Sequence, residues 1–337
     1  MIKRARRKNN RQNITSAGFF KDLFRIDANP IKGLVAVEWV NIAYLAFTLL
    51  LIFFTYTKCE QDFPVMMGNR ISVFVIIIAL WWVYRMIPCR FTMLARMLFQ
   101  VASLSIWYPD IYYLNKMFPN LDHFFATWEQ QIFGCQPALL FSEMVPGKVM
   151  SELMSLGYGS YYFLLVLIIV YYFVWHYKEF ERATFILITA FFIYYVIFIF
   201  LSVMGPQYYY PVIGYDNVAK GIFPAITSQP EEFVQIDILG WQDGLFHKII
   251  MLFHNAGERP IAAFPSSHVG AMTVIMLLIA HTRNWKLFAW MTPLSLLLCL
   301  ATVYLRAHYA IDAIAGLISG IIIYIVLLLV SKRYIRE

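Results

Sequence analysis

Apolar residues fall along this chain in long blocks rather than in alternation, and polar positions gather between the blocks. Eight blocks stand out, at roughly 34–56, 71–89, 93–114, 159–177, 183–204, 267–281, 287–306 and 308–330. A helix rises 1.5 Å per residue and a hydrocarbon core is about 30 Å thick, so ~20 apolar residues cross it. The pattern therefore predicts an all-α, polytopic membrane bundle of about eight spans. Arg96 and Gln100 interrupt the third block and the sixth is short, so the range is six to eight.

Composition agrees, because 61% hydrophobic and 14% charged residues are too apolar a mixture for a soluble domain. Tyr, Trp and Phe crowd the block ends, as an interfacial belt does. The net charge of +7 would suggest nucleic acid in a soluble protein, but here it reports orientation. With the amino terminus in the cytoplasm, nineteen of the 27 Lys and Arg fall in inner segments and eight outside. This positive-inside bias predicts cytoplasmic termini and no nucleic-acid partner. Residues 1–32 read as a basic arm, either an interfacial anchor or a tail drawn to anionic lipid, and not as a cleavable signal. Residues 33–337 read as a single membrane domain. Cys59 and Cys135 share the external side, where a disulfide is permitted; no metal-type Cys/His spacing occurs.

Two external segments, 115–158 and 205–265, are too long to be plain connectors and too apolar for disorder. The second holds an amphipathic stretch at 241–258, with Leu245, Ile249, Leu252 and Phe253 on one face and His247, Lys248 and Asn255 on the other. Re-entrant or interfacial helices walling a pocket are expected there.

Chemistry-bearing residues cluster near the end of the chain. In Arg306-Ala307-His308-Tyr309-Ala310-Ile311-Asp312, His308 and Asp312 stand four residues apart, which on a helix places a carboxylate beside an imidazole. Phe264-Pro265-Ser266-Ser267-His268 puts a second histidine in the first turn of another helix, and the two histidines are expected to face each other. An imidazole held by a carboxylate exposes its other nitrogen as a nucleophile, which suits His308 with Asp312. A second imidazole, His268, then serves as general acid and base. Ser266 as N-cap would aim free N–H groups near Ser267 at an anion, and Arg259 and Arg306 offer forks for phosphoryl oxygens. Duller readings exist for each residue: interfacial histidines, snorkelling arginines, belt tyrosines at 208–210. The spacing also permits a metal site of His268, His308 and Asp312, or a transporter path.

Together, Phe264 to His268 and Val303 to Asp312 resemble the second and third motifs of the type 2 phosphatidic acid phosphatase (PAP2) superfamily, and Glu258-Arg259-Pro260 resembles the end of its first. The likeness is specific over 258–312 and implies a core at roughly 159–331. Upstream, Gly205-Pro206-Gln207-Tyr208-Tyr209 is similar to a segment of inositol-phosphorylceramide-synthase-like members, which makes Gln207, Tyr209 and Tyr210 candidate substrate contacts. The resemblance implies a phosphohistidine on His308, Asp312 as its orienting partner, His268 as acid and base, Arg259 on the phosphate, and no metal or cofactor. Two positions depart from the phosphatase members: Leu252 stands in place of a lysine and Thr302 in place of an arginine, with Arg306 and Lys248 as substitutes. This tilts the expectation toward a lipid phosphotransferase, with a lipid phosphate phosphatase as the alternative. The expected partner is a membrane lipid, and the expected site opens on the external or lumenal side.

Overall fold

The computed structural model describes residues 16–59, 61–226, 239–257, 261 and 263–335, with side chains for 20–57, 61–226, 239–252, 261 and 263–335. Among these residues the chain is helical, and one isolated β-bridge joins Ile26 to Cys89. In order, the helices are α1 (Ser16–Leu23), α2 (Ala36–Phe54), α3 (Tyr56–Cys59), α4 (Phe63–Met86), α5 (Arg90–Asn115), α6 (Asp122–Phe133), α7 (Pro137–Met144) and α8 (Lys148–Trp175). Then come α9 (Tyr177–Phe200), α10 (Pro206–Ile213), α11 (Tyr215–Ala219), α12 (Leu245–Gly257), α13 (Ser267–His281), α14 (Trp285–Tyr304) and α15 (Ala310–Tyr334).

Each apolar block is a helix, and six are long and apolar enough to cross a membrane: those of α2, α4, α8, α9, α14 and α15. The protein is thus a multi-pass membrane protein. The other two blocks are the ones the sequence marks as irregular. Helix α13 has 15 residues, and α5 carries Arg96 and Asp110 inside its run.

Helix α9 is the axis, with 78% of its most apolar stretch buried against 22% for α4. On one side it packs on α2 and α5, with α4 beyond; on the other it packs on α8, α13 and α15, while α14 packs on α8 and α13. The first layer is held by charges. Arg96 donates from Nε and Nη2 to Glu38 at 2.8 and 2.6 Å, and Arg70 pairs with Asp110 at 3.0 Å, all four side chains being buried. Asn41 Nδ2 donates to Gln100 and Ser103 while its Oδ1 accepts from Trp107. Glu38 also accepts the N–H of Val35, and so caps α2.

The second layer is held by close backbone approach. A Cβ on Gly316 would stand 2.4 Å from the Ser266 carbonyl, and one on Gly320 2.7 Å from that of Gly270. Two glycines one turn apart on α15 thus let α13 pack with no side chain between them, the packing that small-residue stripes give in lipid. Gly270 is covered in turn by Tyr194 of α9.

The ends of α5, α9 and α14 and the starts of α13 and α15 meet at one end of the bundle. Leu121 N–H donates to Ser202 O, Ala263 N–H to Val203 O and Ser266 N–H to Asp312 O. At the other end Asp27 N–H reaches Pro88 O and Arg182 reaches Ile335 O, so both described chain ends lie away from the histidines.

One expectation needs correction. Helix α8 begins at Lys148, well before the predicted 159, because Lys148, Ser151, Glu152 and Ser155 interrupt the apolar run without breaking the helix. At about 42 Å it overshoots a hydrocarbon core. Its polar start is used: Glu152 accepts the N–H groups of Phe246 and His247, and Ser151 that of Trp241, fixing the start of α12. Helix α12 shows the described part of its Leu245 and Leu252 face on the outside of the bundle. Leu245 and Leu252 are 65% and 71% exposed, whereas His247 and Ile250 are buried. The described part of its apolar face points outward, which in a membrane is the lipid side.

Candidate active site

His268 follows Ser266 and Ser267 at the start of α13. The Ser266 hydroxyl accepts the Val269 N–H at 3.4 Å and so caps the first turn of α13. His308 sits two residues before α15, in the turn from α14, where Arg306 adopts a left-handed φ of 62°. That turn reverses the chain and brings His308 beside α13. Its Nε2 lies 3.5 Å from Nδ1 of His268, with ring centroids 5.7 Å apart.

The tautomer follows from the other nitrogen. His308 Nδ1 lies 2.8 Å from the Ala263 carbonyl, which can only accept, so Nδ1 carries the proton and Nε2 turns its lone pair toward His268. His268 stacks on Tyr158 at 4.9 Å and tilts over Tyr161 at 4.5 Å.

Asp312 is arranged differently from the expectation. His308 is not helical, so the four-residue spacing does not put the pair on one helix face. Asp312 Oδ2 accepts the Tyr309 N–H at 2.8 Å, capping α15, and stands 3.7 Å from His308 Nδ1. The short bond that orients the ring is made by Ala263, and the Asp312 carboxyl stands behind it.

The other expected residues are placed as follows. Arg306 turns aside from the histidines: its guanidinium lies 5.4 Å from the Tyr215 ring, 3.4 Å from Ser142 Oγ and 3.8 Å from Glu143. Lys248 is exposed on α12. Arg259 lies outside the described residues, as does the Cys59 side chain, and Cys135, with which a disulfide was permitted, is a free cysteine. Gln207 donates its backbone N–H to Arg306 O, and Gly205 at φ 88° lies against Ala307 O and Ala263, so this segment braces both histidine loops. Tyr209 and Tyr210 are fully buried, and their hydroxyls donate to Pro224 O and Gln136 Oε1. Leu252 is exposed and Thr302 buried, with Thr302 O accepting the His308 N–H. Among the described residues no three His, Cys, Asp or Glu side chains are grouped as metal ligands.

Two acids escaped the sequence reading. Asp122 accepts from Met204 N, Gly205 N, the Tyr309 hydroxyl and Asn120, tying the α9–α10 turn to the start of α15. Glu129 is wholly buried and accepts the Ile311 N–H at 3.2 Å. Burial pushes its carboxyl up to about 8, chiefly by desolvation, with the Asp312 charge adding to it. Burial also raises Asp122, against its hydrogen bonds. The only trace of either in the sequence is a carboxylate among apolar residues, which in a membrane protein asks for a partner.

Compared with known families, residues 123–326 match the PAP2 superfamily. No curated protein and no solved structure matches the chain.

Proposed function

The chain belongs to the PAP2 superfamily of membrane phosphatases and phosphotransferases, and from that premise we propose a metal-independent enzyme that transfers the phosphoryl group of a lipid phosphoester through a phosphohistidine on His308. The observation that supports it most is the His308 tautomer: Nδ1–H held by the Ala263 carbonyl, Nε2 aimed at His268. Nε2 attacks phosphorus, the bond to the departing alcohol oxygen breaks, and protonated His268 gives that oxygen its proton. Neutral His268 then takes the proton of the acceptor hydroxyl as its oxygen attacks phosphorus and the P–N bond breaks. Asp312 and the first-turn N–H groups of α13 offset charge during the transfer.

The favoured acceptor is a lipid alcohol, as in enzymes similar to inositol phosphorylceramide synthases. Support comes from Leu252 and Thr302, which present no cation where the phosphatase members carry one; a phosphate monoester, with its greater negative charge, gains least from such a site. The histidine end is assigned to the external or lumenal side because the basic residues collect at the other end.

Purified protein given a phospholipid labelled in its phosphate, with and without a ceramide-like acceptor, should make a new labelled phosphodiester. Release of free phosphate alone would make it a phosphatase. A His308→Ala variant that retained full turnover on every lipid phosphoester tried would refute the reading altogether.

A further inference from the structure

His308 and the Ala263 carbonyl that fixes its tautomer belong to different segments of the chain, and the 2.8 Å bond between them lasts only while those segments keep their spacing. Both are tied to one carboxylate. Ala263 donates its N–H to Val203 O, and the next two N–H groups after Val203, those of Met204 and Gly205, donate to Asp122 at 2.7 and 2.8 Å. From the other side Tyr309, the neighbour of His308, donates its hydroxyl to Asp122 Oδ1 at 3.0 Å. Asp122 is wholly buried at the start of α6, where Asn120 Nδ2 also donates to its Oδ2 at 2.6 Å.

We propose that Asp122 is a positioning residue for the phosphoryl transfer: by holding the Ala263 and His308 segments at one spacing, it keeps the His308 proton on Nδ1 and the Nε2 lone pair toward His268. The role rests on the phosphohistidine reading. The segment that Asp122 grips lies between the two it spaces, since a Cβ on Gly205 would stand 2.7 Å from Ala307 O and 3.2 Å from the Ala263 Cβ. All four partners of Asp122 are donors, and a carboxylate can accept from all of them on its two oxygens, whereas an amide has only one accepting oxygen. The tautomer is what the spacing protects. A neutral imidazole whose Nδ1–H loses its acceptor is free to carry the proton on Nε2 instead, and that proton blocks the attacking lone pair.

The test compares full-length parent, Asp122→Asn and Tyr309→Phe enzymes turning over a labelled phospholipid. In Asp122→Asn one accepting oxygen becomes an N–H₂ group, so at least one backbone N–H loses its partner whichever way the amide turns. Its kcat per folded molecule should fall about 10–100-fold with KM within about twofold, the pattern of a misplaced nucleophile. Nitrogen NMR of the histidine rings, with the His308 signals identified by their loss in His308→Ala, should show neutral His308 protonated on Nδ1 in the parent and increasingly on Nε2 in Asp122→Asn. Tyr309→Phe removes a single arm and should give the same tautomer shift with a smaller loss, about threefold to tenfold in kcat. It decides alone if Asp122→Asn does not fold. Where both fold, the double variant should lose no more than Asp122→Asn, because the two act through one bond. An unmoved His308 tautomer, or parental kcat per folded molecule, overturns the assignment and leaves Asp122 a support of the fold. A parent enzyme with no turnover on any lipid phosphoester would instead sink the phosphoryl-transfer reading.

Discussion

On the α2, α4 and α5 side of α9, each buried cation faces an anion: Arg96 faces Glu38 and Arg70 faces Asp110. Where α13 and α15 begin, like faces like: His268 stands against His308, and Glu129 lies close enough to Asp312 to feel its charge. Opposite charges in contact settle into one protonation state and stay there, because each stabilises the charged form of the other. Like groups in contact cannot all be charged together, so a proton is left to move between them. The same membrane interior thus yields static glue from one pairing rule and acid–base chemistry from the other.

The largest test of this contrast is His268→Ala. It should lower kcat by about 10²–10⁴ and remove one limb of a pH–rate profile that is bell-shaped between about pH 5 and 8 in the parent enzyme. A flat parent profile would show that the imidazoles do not exchange a proton. Next comes Glu38→Ala, which strands Arg96 in the interior and should cost about 3–5 kcal/mol of stability. The lost folding should show in a detergent melt, with kcat per folded molecule retained; a lost kcat at unchanged stability would contradict the separation of the two layers.

The third test concerns Glu129. Its carboxyl titrates near 4.5 when unfolded and at about 8 when folded, so the folded state holds the proton longer. Its contribution to stability is complete below pH 4.5 and is lost as pH rises toward 8, at no more than about 1.4 kcal/mol per pH unit. Glu129→Gln should flatten the fall in melting temperature over that range. An unaltered slope would mean that the group titrates elsewhere.

Much of this was legible in the residues because it is local. Span-length apolar runs, the Ser266 cap and the two histidines at helix starts are written within a few positions of each other. What escaped is paired across the chain. Arg96 and Gln100 look like flaws in a span until Glu38 and Asn41, more than fifty residues earlier, are brought beside them. The partner of His308 is a backbone carbonyl, which any residue type at 263 could supply, so it leaves no mark in the sequence. Asp312 was read as that partner because its spacing fits a helix, but the helix starts two residues after His308.

The contact of Gly316 and Gly320 with the backbone of α13 has a further consequence. An in-line phosphoryl group needs about 3–3.5 Å to its attacking atom, plus a hydrogen-bond length of about 2.6–3.2 Å from the leaving oxygen to its acid. The imidazoles are only 3.5 Å apart, and rods already touching along their length cannot be spread to admit more without giving up that contact. Room for the substrate is therefore sought in the two imidazole side chains and the turn that carries His308, rather than in parting α13 from α15.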